Sequence, residues 1–250
     1  MEQPRPRILI VFDFDHTLVN GNTDTWITKL HEPTMAAIKS NRKKGLCWTN
    51  IMDLVFQQLH EQNFCRQDFE KCLETLKFIE GMKETCEHIY DSKIPAIIIS
   101  DSNTYFIDHL LKRDNLSHVF SHVATNPAQW NENGRLQVTR YHSHGCSFCP
   151  KNLCKKEVLT NYVTEQMKEN NPFDHIIYVG DGKGDFCPAL SLDSKDYILA
   201  REEYQLLDLL NEQSVKSGVE AQIVPWTSGF QVLDLVKKLC NNFKKGLSIR

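Results

Sequence analysis

Three stretches of this chain are continuously apolar and end abruptly in small or acidic residues. Ile8–Phe12 (ILIVF) runs into Asp13, Ala96–Ile99 (AIII) into Ser100-Asp101-Ser102, and Ile176–Val179 (IIYV) into Gly180-Asp181-Gly182. A strand covered by helices on both faces of a parallel sheet reads this way, because neither set of alternating side chains meets water. Weaker strand patterns lie at His122–Thr125, Leu136–Thr139, Tyr197–Ala200 and Gln222–Val224. Between them, apolar residues recur at helical spacing: Phe106, Ile107, Leu110 and Leu111 within Thr104–Arg113, and Val158, Leu159, Tyr162 and Val163 within Lys156–Met167. Leu206–Leu210 and Val232–Leu239 repeat the pattern. Strands alternating with helices predict an α/β fold with a Rossmann-like parallel sheet flanked by helices.

One stretch breaks the alternation. From about Asp24 to Lys77 the chain is polar-rich and helical in pattern, with Trp48, Met52, Val55, Phe56 and Leu59 on one face. It lies between the first and second strand motifs, and roughly 65 intervening residues exceed what one crossover helix needs. The expected organisation is an α/β core of residues 1–22 and 79–250 with a helical cap, 23–78, inserted; an ordinary long crossover is the other reading.

Composition narrows the function classes. The 250 residues carry 29 Lys plus Arg against 32 Asp plus Glu, a formal charge of −3, so no broad basic surface for nucleic acid or anionic lipid is expected. At 41% hydrophobic and 24% charged residues, the chain has ordinary globular usage rather than that of a disordered one. No apolar run approaches the ~20 residues of a membrane span. The apolar part of MEQPRPRILIVF is too short for a secretory signal, and the terminal LSIR resembles no lipidation signal. The expectation is a soluble cytoplasmic protein without nucleic-acid or membrane partners; nothing in the pattern fixes the oligomeric state. Nine cysteines, five of them scattered (Cys47, Cys65, Cys72, Cys86, Cys240), suggest reduced thiols rather than a disulfide framework.

The strand ends carry the candidate chemistry. Asp13 and Asp15 in DFDHT are two apart, so alternation can turn both to one side and Phe14 to the other. Two carboxylates held together repel unless a proton or cation intervenes, and a hard ion such as Mg²⁺ with its oxygen preference resolves this. The bland reading is an N-cap or Asx turn. Ser100 offers a short hydroxyl to a phosphate oxygen, Lys155 a point charge at the start of a helix, and Gly180–Asp185 (GDGKGD) two carboxylates on a loop whose glycines permit tight turns. Each has a bland alternative as cap, turn residue or surface charge, but the four together in this order are hard to assign to chance. Ligands of open α/β sheets sit beyond the carboxyl ends of strands, where these groups fall.

DFDHT, IIIS, a lysine and GDGKGD resemble the haloacid dehalogenase superfamily of aspartate-dependent phosphatases. NTDTW (Asn22–Trp26), ISDSN (Ile99–Asn103), TNP (Thr125–Pro127), CSFCPKNLCKK (Cys146–Lys156) and YVGDGKGDFCP (Tyr178–Pro188) further resemble its phosphoethanolamine/phosphocholine phosphatase family. NTDTW, ISDSN and NLCKK are closer to that family's pyridoxal-phosphate phosphatase branch. Gly184 departs from the superfamily, where Asn often precedes the last Asp of the loop, and His16 occupies a variable position; neither removes a carboxylate.

The resemblance implies a Mg²⁺-dependent phosphatase acting on a small phosphorylated metabolite. In it Asp13 is the nucleophile that forms an aspartyl-phosphate, and Asp15 the proton donor and acceptor. Asp13, Asp181 and the Asp15 position, most simply its backbone carbonyl, would hold Mg²⁺. Ser100 and Lys155 would steady the phosphoryl oxygens, with Lys156 the alternative lysine. Asp185 would orient the lysine or a metal-bound water, and Asp24 and Asp101 would contact the substrate. Pyridoxal 5′-phosphate is the first implied substrate, and phosphoethanolamine or phosphocholine the second. A phosphotransferase, or a zinc-stabilised binding module with an idle phosphatase site, is a more remote alternative.

The segment Tyr141–Lys155 holds His142, His144, Cys146, Cys149 and Cys154. A C-x-x-C with a third Cys and a nearby His could make a four-ligand zinc site, although the usual second C-x-x-C is missing. A reduced thiol cluster and a labile Cys146–Cys149 disulfide are alternatives. Cys187, before Pro188, reads as a small buried hydrophobe. Trp26, Trp48 and Phe56 could line the substrate side of the cap, but aromatics at helical spacing are more often core.

Overall fold

A computed structural model describes residues 6–213 and 218–245; the N-terminal residues before Pro6 and the LSIR terminus lie outside it. In chain order the elements are β1 (Ile8–Phe12), α1 (Thr23–Ile27), α2 (Pro33–Lys43), α3 (Trp48–Glu61), α4 (Arg66–Glu74), α5 (Met82–Asp91), β2 (Ala96–Asn103), α6 (Thr104–Arg113), β3 (His122–Asn126), β4 (Ala128–Trp130) and β5 (Leu136–Val138). There follow α7 (Lys155–Lys168), β6 (His175–Gly180), α8 (Phe186–Ala189), β7 (Tyr197–Arg201), α9 (Gln205–Gln213), β8 (Gln222–Trp226) and α10 (Gly229–Lys245).

The three apolar runs are neighbours at the centre of a six-stranded sheet of order β3-β2-β1-β6-β7-β8, parallel throughout. Alternation along β1 feeds two cores. Ile8, Ile10 and Phe12 pack in one layer with Met82, Cys86 and Ile89 of α5 and Val232 and Val236 of α10. Leu9 and Val11 pack in the other with Val158 and Leu159 of α7 and Leu206 and Leu210 of α9. Burying each such side chain contributes ~1.5–3 kcal/mol, which is why a strand with no polar position is stable only here. From β1 the order runs outward to β2 and β3 on one side and to β6, β7 and β8 on the other. The crevice beyond the carboxyl ends of β1 and β6 is therefore the topological switch point.

Four helices, α1–α4, fill the insert between β1 and β2. The chain enters and leaves it on two antiparallel segments: the Asn20 N–H donates to the Lys77 carbonyl (2.8 Å), the Ile79 N–H to that of Leu18 (2.9 Å), and Val19 bridges Phe78. Phe56 on α3 packs against Phe69 and Phe106, with ring centroids 5.9 and 5.7 Å away, so it belongs to the core rather than to a substrate wall. The short β4, which the pattern did not predict, pairs with β5 in an antiparallel hairpin. Asp53 of α3 holds that hairpin through Arg135 (2.6 Å) and the Val138 N–H (3.3 Å). Among the described residues, no helix is long and apolar enough to cross a membrane.

Candidate active site

β1 ends in a tight turn, in which the Thr17, Leu18 and Val19 amides all donate to the Phe14 carbonyl and His16 takes a left-handed φ of 56°. Phe14 is buried against Phe78. Asp13 stands at the switch point, where its Oδ1 accepts from the Phe14 N–H (2.7 Å) and pairs with Lys155 Nζ (2.9 Å).

The β6 loop comes to the same point. One oxygen each from Asp13, Asp181 and Asp185 lie within 4.8 Å of one another, all three residues buried. Asp181 Oδ1 accepts from Thr17 Oγ1 (3.0 Å). Asp185, fully buried, is saturated: its Oδ1 accepts from Lys155 Nζ (2.8 Å) and the Tyr178 hydroxyl (2.7 Å), its Oδ2 from the Asp181 and Gly182 amides (3.1 and 3.0 Å). It can orient Lys155 and the loop but has no oxygen to spare for an ion. Gly180 makes this possible, since a Cβ there would stand 2.6 Å from the Asp185 carboxylate. Asp13 Oδ2 and Asp181 Oδ2, by contrast, accept from no protein donor among the described residues.

The electrostatics of the cluster are unbalanced. Three ionised carboxylates around one ammonium would leave two negative charges buried together. Burial, with the nearby Asp185, pushes the Asp13 carboxyl up to about 7 against the pull of Lys155. Burial and Asp13 push Asp181 to about 8. Burial opposes the Lys155 charge, yet Asp13 and Asp185 hold its pKa well above that of an ordinary lysine. A site that strains against its own charge, with two open hard oxygens, fits a small divalent cation.

Asp15 faces elsewhere. Its carboxyl lies outside that group and turns to the first residues of the insert, accepting from the Thr23 N–H (3.0 Å), Thr23 Oγ1 (3.1 Å) and Asn22 Nδ2 (2.9 Å). Burial and the Asp24 charge raise its pKa well above the usual carboxylate range, which favours the protonated form.

On β2, the register against β3 shifts between Ile99 and Asn103, the stretch that holds Ser100 and Asp101, and Asp101 lies near Lys155. Ser100 Oγ is buried and accepts from the Ser102 N–H (3.3 Å), leaving its own proton to donate. Asp101 accepts from Asn152 Nδ2 (2.8 Å), while Asn126 Nδ2 donates to the Asp101 and Ser102 carbonyls (2.7 and 2.8 Å). Asp101 Oδ2 lies 3.2 Å from where a Cβ on Gly184 would stand, so the missing side chain leaves space against this carboxylate. Asp24, in the first turn of α1, accepts from Trp48 Nε1 (2.7 Å), and burial lifts its carboxyl to about 7.

The structure thus gathers Asp13, Lys155, Asp181 and Asp185 into one contact set, with Asp101 close enough to act on Lys155 electrostatically. Asp15 and Asp24 stand at the start of the insert. Lys156 borders a separate cleft with Cys146, Cys154 and Cys187. His16 has a partner, its Nδ1 lying 3.4 Å from the Tyr204 hydroxyl, and its carbonyl accepts from Arg201 (2.6 Å). A larger cavity of about 710 Å³ at the opposite end of the sheet, beside Ile8 and Pro95, has no carboxylate in its lining.

Tyr178 and Asn152 escaped the sequence reading. Tyr178 sits inside an apolar run and reads as core; the available signal was its hydroxyl, which once buried must find a partner. Asn152 lies in a stretch dominated by cysteines, and nothing local marks it as the support of Asp101.

Comparison with known proteins follows the same line. The family model described as Putative Phosphatase matches residues 8–240. The chain is 37% identical over 232 residues to pyridoxal phosphate phosphatase PHOSPHO2 from Homo sapiens, covering 91% of this chain and 96% of that one. It is 31% identical over 246 residues to a phosphoethanolamine/phosphocholine phosphatase from Gallus gallus, covering 94% and 91%. Among solved structures, a substrate-bound phosphoserine phosphatase superposes with a TM-score of 0.60 at 16% identity, over 94% of this chain and 99% of that one, a likeness of fold.

Proposed function

The chain belongs to the Putative Phosphatase family of haloacid dehalogenase-like phosphatases, and on that premise we propose that it hydrolyses pyridoxal 5′-phosphate through an aspartyl-phosphate on Asp13. The observation that carries this reading is the contact set of Asp13, Asp181 and Asp185 around Lys155, set at the switch point of a parallel sheet. The relative named for pyridoxal phosphate supports the substrate.

Asp13 attacks phosphorus, a bond forms between its carboxylate oxygen and the phosphoryl group, and the ester P–O bond breaks. Asp15, whose acid form burial favours, gives its proton to the departing alkoxide. In the second half the Asp15 carboxylate takes a proton from water as that water attacks phosphorus. The acyl-phosphate bond then breaks, returning Asp13 and releasing inorganic phosphate. Lys155 pairs with the phosphoryl oxygens, and Asp185, by fixing the ammonium, sets where that charge stands. The Ser100 hydroxyl donates to another phosphoryl oxygen. Asp13 and Asp181, through carboxylate oxygens, and Asp15, through its backbone carbonyl, would hold Mg²⁺. When bound, the ion supplies positive charge that lets one anion approach another.

Residues 23–78 act as the cap over this centre, the remainder being the core, and the paired segments at Leu18–Asn20 and Lys77–Ile79 are its hinge. Asp24 and Asp101 face the remote end of the substrate. These two carboxylates would also suit a cationic end such as that of phosphoethanolamine or phosphocholine, which the Gallus gallus relative is named for. Phosphate release measured over a panel of small phosphomonoesters, with and without Mg²⁺, tests the assignment. Pyridoxal 5′-phosphate is expected to give the highest kcat/KM. A higher value for phosphoethanolamine or phosphocholine would move the assignment to the second substrate class, and absence of Mg²⁺-dependent release from every ester would overturn it.

A further inference from the structure

The cysteine-rich segment and α8 come together against the core layer that holds Leu153, Phe186 and Ala189. One sulfur each from Cys146, Cys149, Cys154 and Cys187 lie within 4.8 Å of one another, with Cys146 and Cys187 Sγ atoms 3.5 Å apart. None is in a disulfide, whose sulfurs would be about 2.05 Å apart. Four thiolates at about 2.3 Å from a tetrahedral ion stand about 3.8 Å from one another, the scale seen here.

We propose that these four cysteines hold one structural Zn²⁺ that ties the 141–154 loop and the start of α7 to α8. Thiolate sulfur favours a soft or borderline ion, and four ligands close the coordination shell as a structural site requires. Sulfurs this close leave room for a single ion rather than for a multinuclear iron–sulfur cluster. The sequence left the fourth ligand to a nearby histidine and Cys187 to the hydrophobic core. In the structure Cys187 is buried as expected, yet its sulfur stands with the other three, while both histidines are engaged elsewhere. His142 Nε2 accepts from the Cys154 N–H (2.9 Å), and His144 engages the Cys146 N–H (3.2 Å) and the Pro150 carbonyl (2.8 Å). The two imidazoles therefore shape the backbone that presents the thiols. The Phe148 and Cys149 amides turn toward the Cys146 sulfur, a placement that offsets thiolate charge. Lys156 borders the same cleft and adds a positive charge beside it.

The loop has need of such a tie, since residues 139–154 form no helix or strand and carry an exposed Phe148. The consequence reaches the acidic cluster: Cys154 immediately precedes Lys155, and Cys187 follows Asp185 by two residues. One ion here would fix both chain segments that form the Lys155–Asp185 pair.

The test is elemental analysis of the full chain, purified under reducing conditions without chelator, together with replacement of the metal by Co²⁺. About one zinc per chain is expected, and cobalt should give thiolate charge-transfer bands and the intense d–d bands of a tetrahedral site. Cys149→Ser and Cys187→Ser should each lose most of the metal, while Cys65→Ser, exposed and remote, keeps it. Because those variants could fail to fold, the native chain is also stripped with a zinc-selective chelator at fixed Mg²⁺. Returning zinc should raise Tm by about 10 °C. Iron in place of zinc, loss of four free thiols to two disulfides, or a stripped chain whose Tm ignores zinc would each overturn the proposal. This outcome is independent of phosphatase turnover.

Discussion

Replacing Asp185 by Asn probes how far the active cluster depends on a residue that touches no substrate. The wild-type carboxylate accepts four donors, two on each oxygen. An amide of the same shape keeps one acceptor oxygen and turns an NH₂ toward either the Asp181 and Gly182 amides or Lys155 and Tyr178. The Tyr178 hydroxyl can rotate to accept; the ammonium and the amides cannot. The variant therefore loses one charge-assisted hydrogen bond, ~1.5–3 kcal/mol, and strands a buried donor at ~1–3 kcal/mol. Relief of repulsion with Asp13 and Asp181 offsets part of this, leaving a destabilisation of about 3 kcal/mol, at the lower edge of the range for breaking a buried ion pair. For a chain this size that corresponds to a Tm lower by about 6–12 °C. With Asp185 neutral, Lys155 keeps Asp13 as its remaining direct ion pair and is drawn toward the nucleophile, so kcat should fall by about a hundredfold, as misplacement of a positioning group does. Differential scanning calorimetry in EDTA and steady-state kinetics in Mg²⁺ measure the two effects. A variant with a Tm within about 1 °C of wild type and an unchanged kcat would refute the role given to this carboxylate.

Asp15→Asn keeps one acceptor oxygen for the Thr23 N–H, but its NH₂ cannot accept from Asn22 Nδ2, and the transferable proton is lost. With alkyl phosphates kcat should drop by ~10²–10⁴. With an aryl phosphate, whose leaving group needs no proton, the first step survives and stopped-flow should show a burst of phenolate; equal losses on both esters would contradict the assignment. Asp24 governs a pH effect. Its carboxyl titrates near 7 in the folded chain against 3.8 in the reference state, so between these values the native form binds the extra proton. Stability is therefore highest below the lower value and declines as pH rises to about 7, by on the order of 4 kcal/mol from this group. Urea titrations in EDTA should show a smaller decline for Asp24→Asn, and parallel curves for the two proteins would contradict it.

How much of this was legible depended on whether the cause was local. The strands of the sheet centre were, because Ile8–Phe12, Ala96–Ile99 and Ile176–Val179 are buried on both faces and so carry no polar position to blur the pattern. β4 was not: three residues, half exposed, are stabilised by pairing with β5 and by Asp53 of a distant helix. Asp13 and Asp181 were visible as acids at strand ends, whereas the saturation of Asp185 depends on Tyr178 and on the absence of a Cβ at Gly180. Cys187 is buried, as its pattern suggested, but its closeness to the other three thiols was not legible, because they lie more than thirty residues away and only the fold of α8 back onto the start of α7 brings them together.

The covalent role of Asp13 is tested most directly by trapping. The enzyme is mixed with substrate, quenched in acid within a turnover, treated with borohydride to reduce any acyl phosphate, and digested for mass spectrometry. Conversion of residue 13 to homoserine, dependent on substrate and absent in Asp13→Asn, is expected. Turnover that proceeds with residue 13 unmodified, or with the phosphoryl group found on a histidine or serine, would contradict the mechanism.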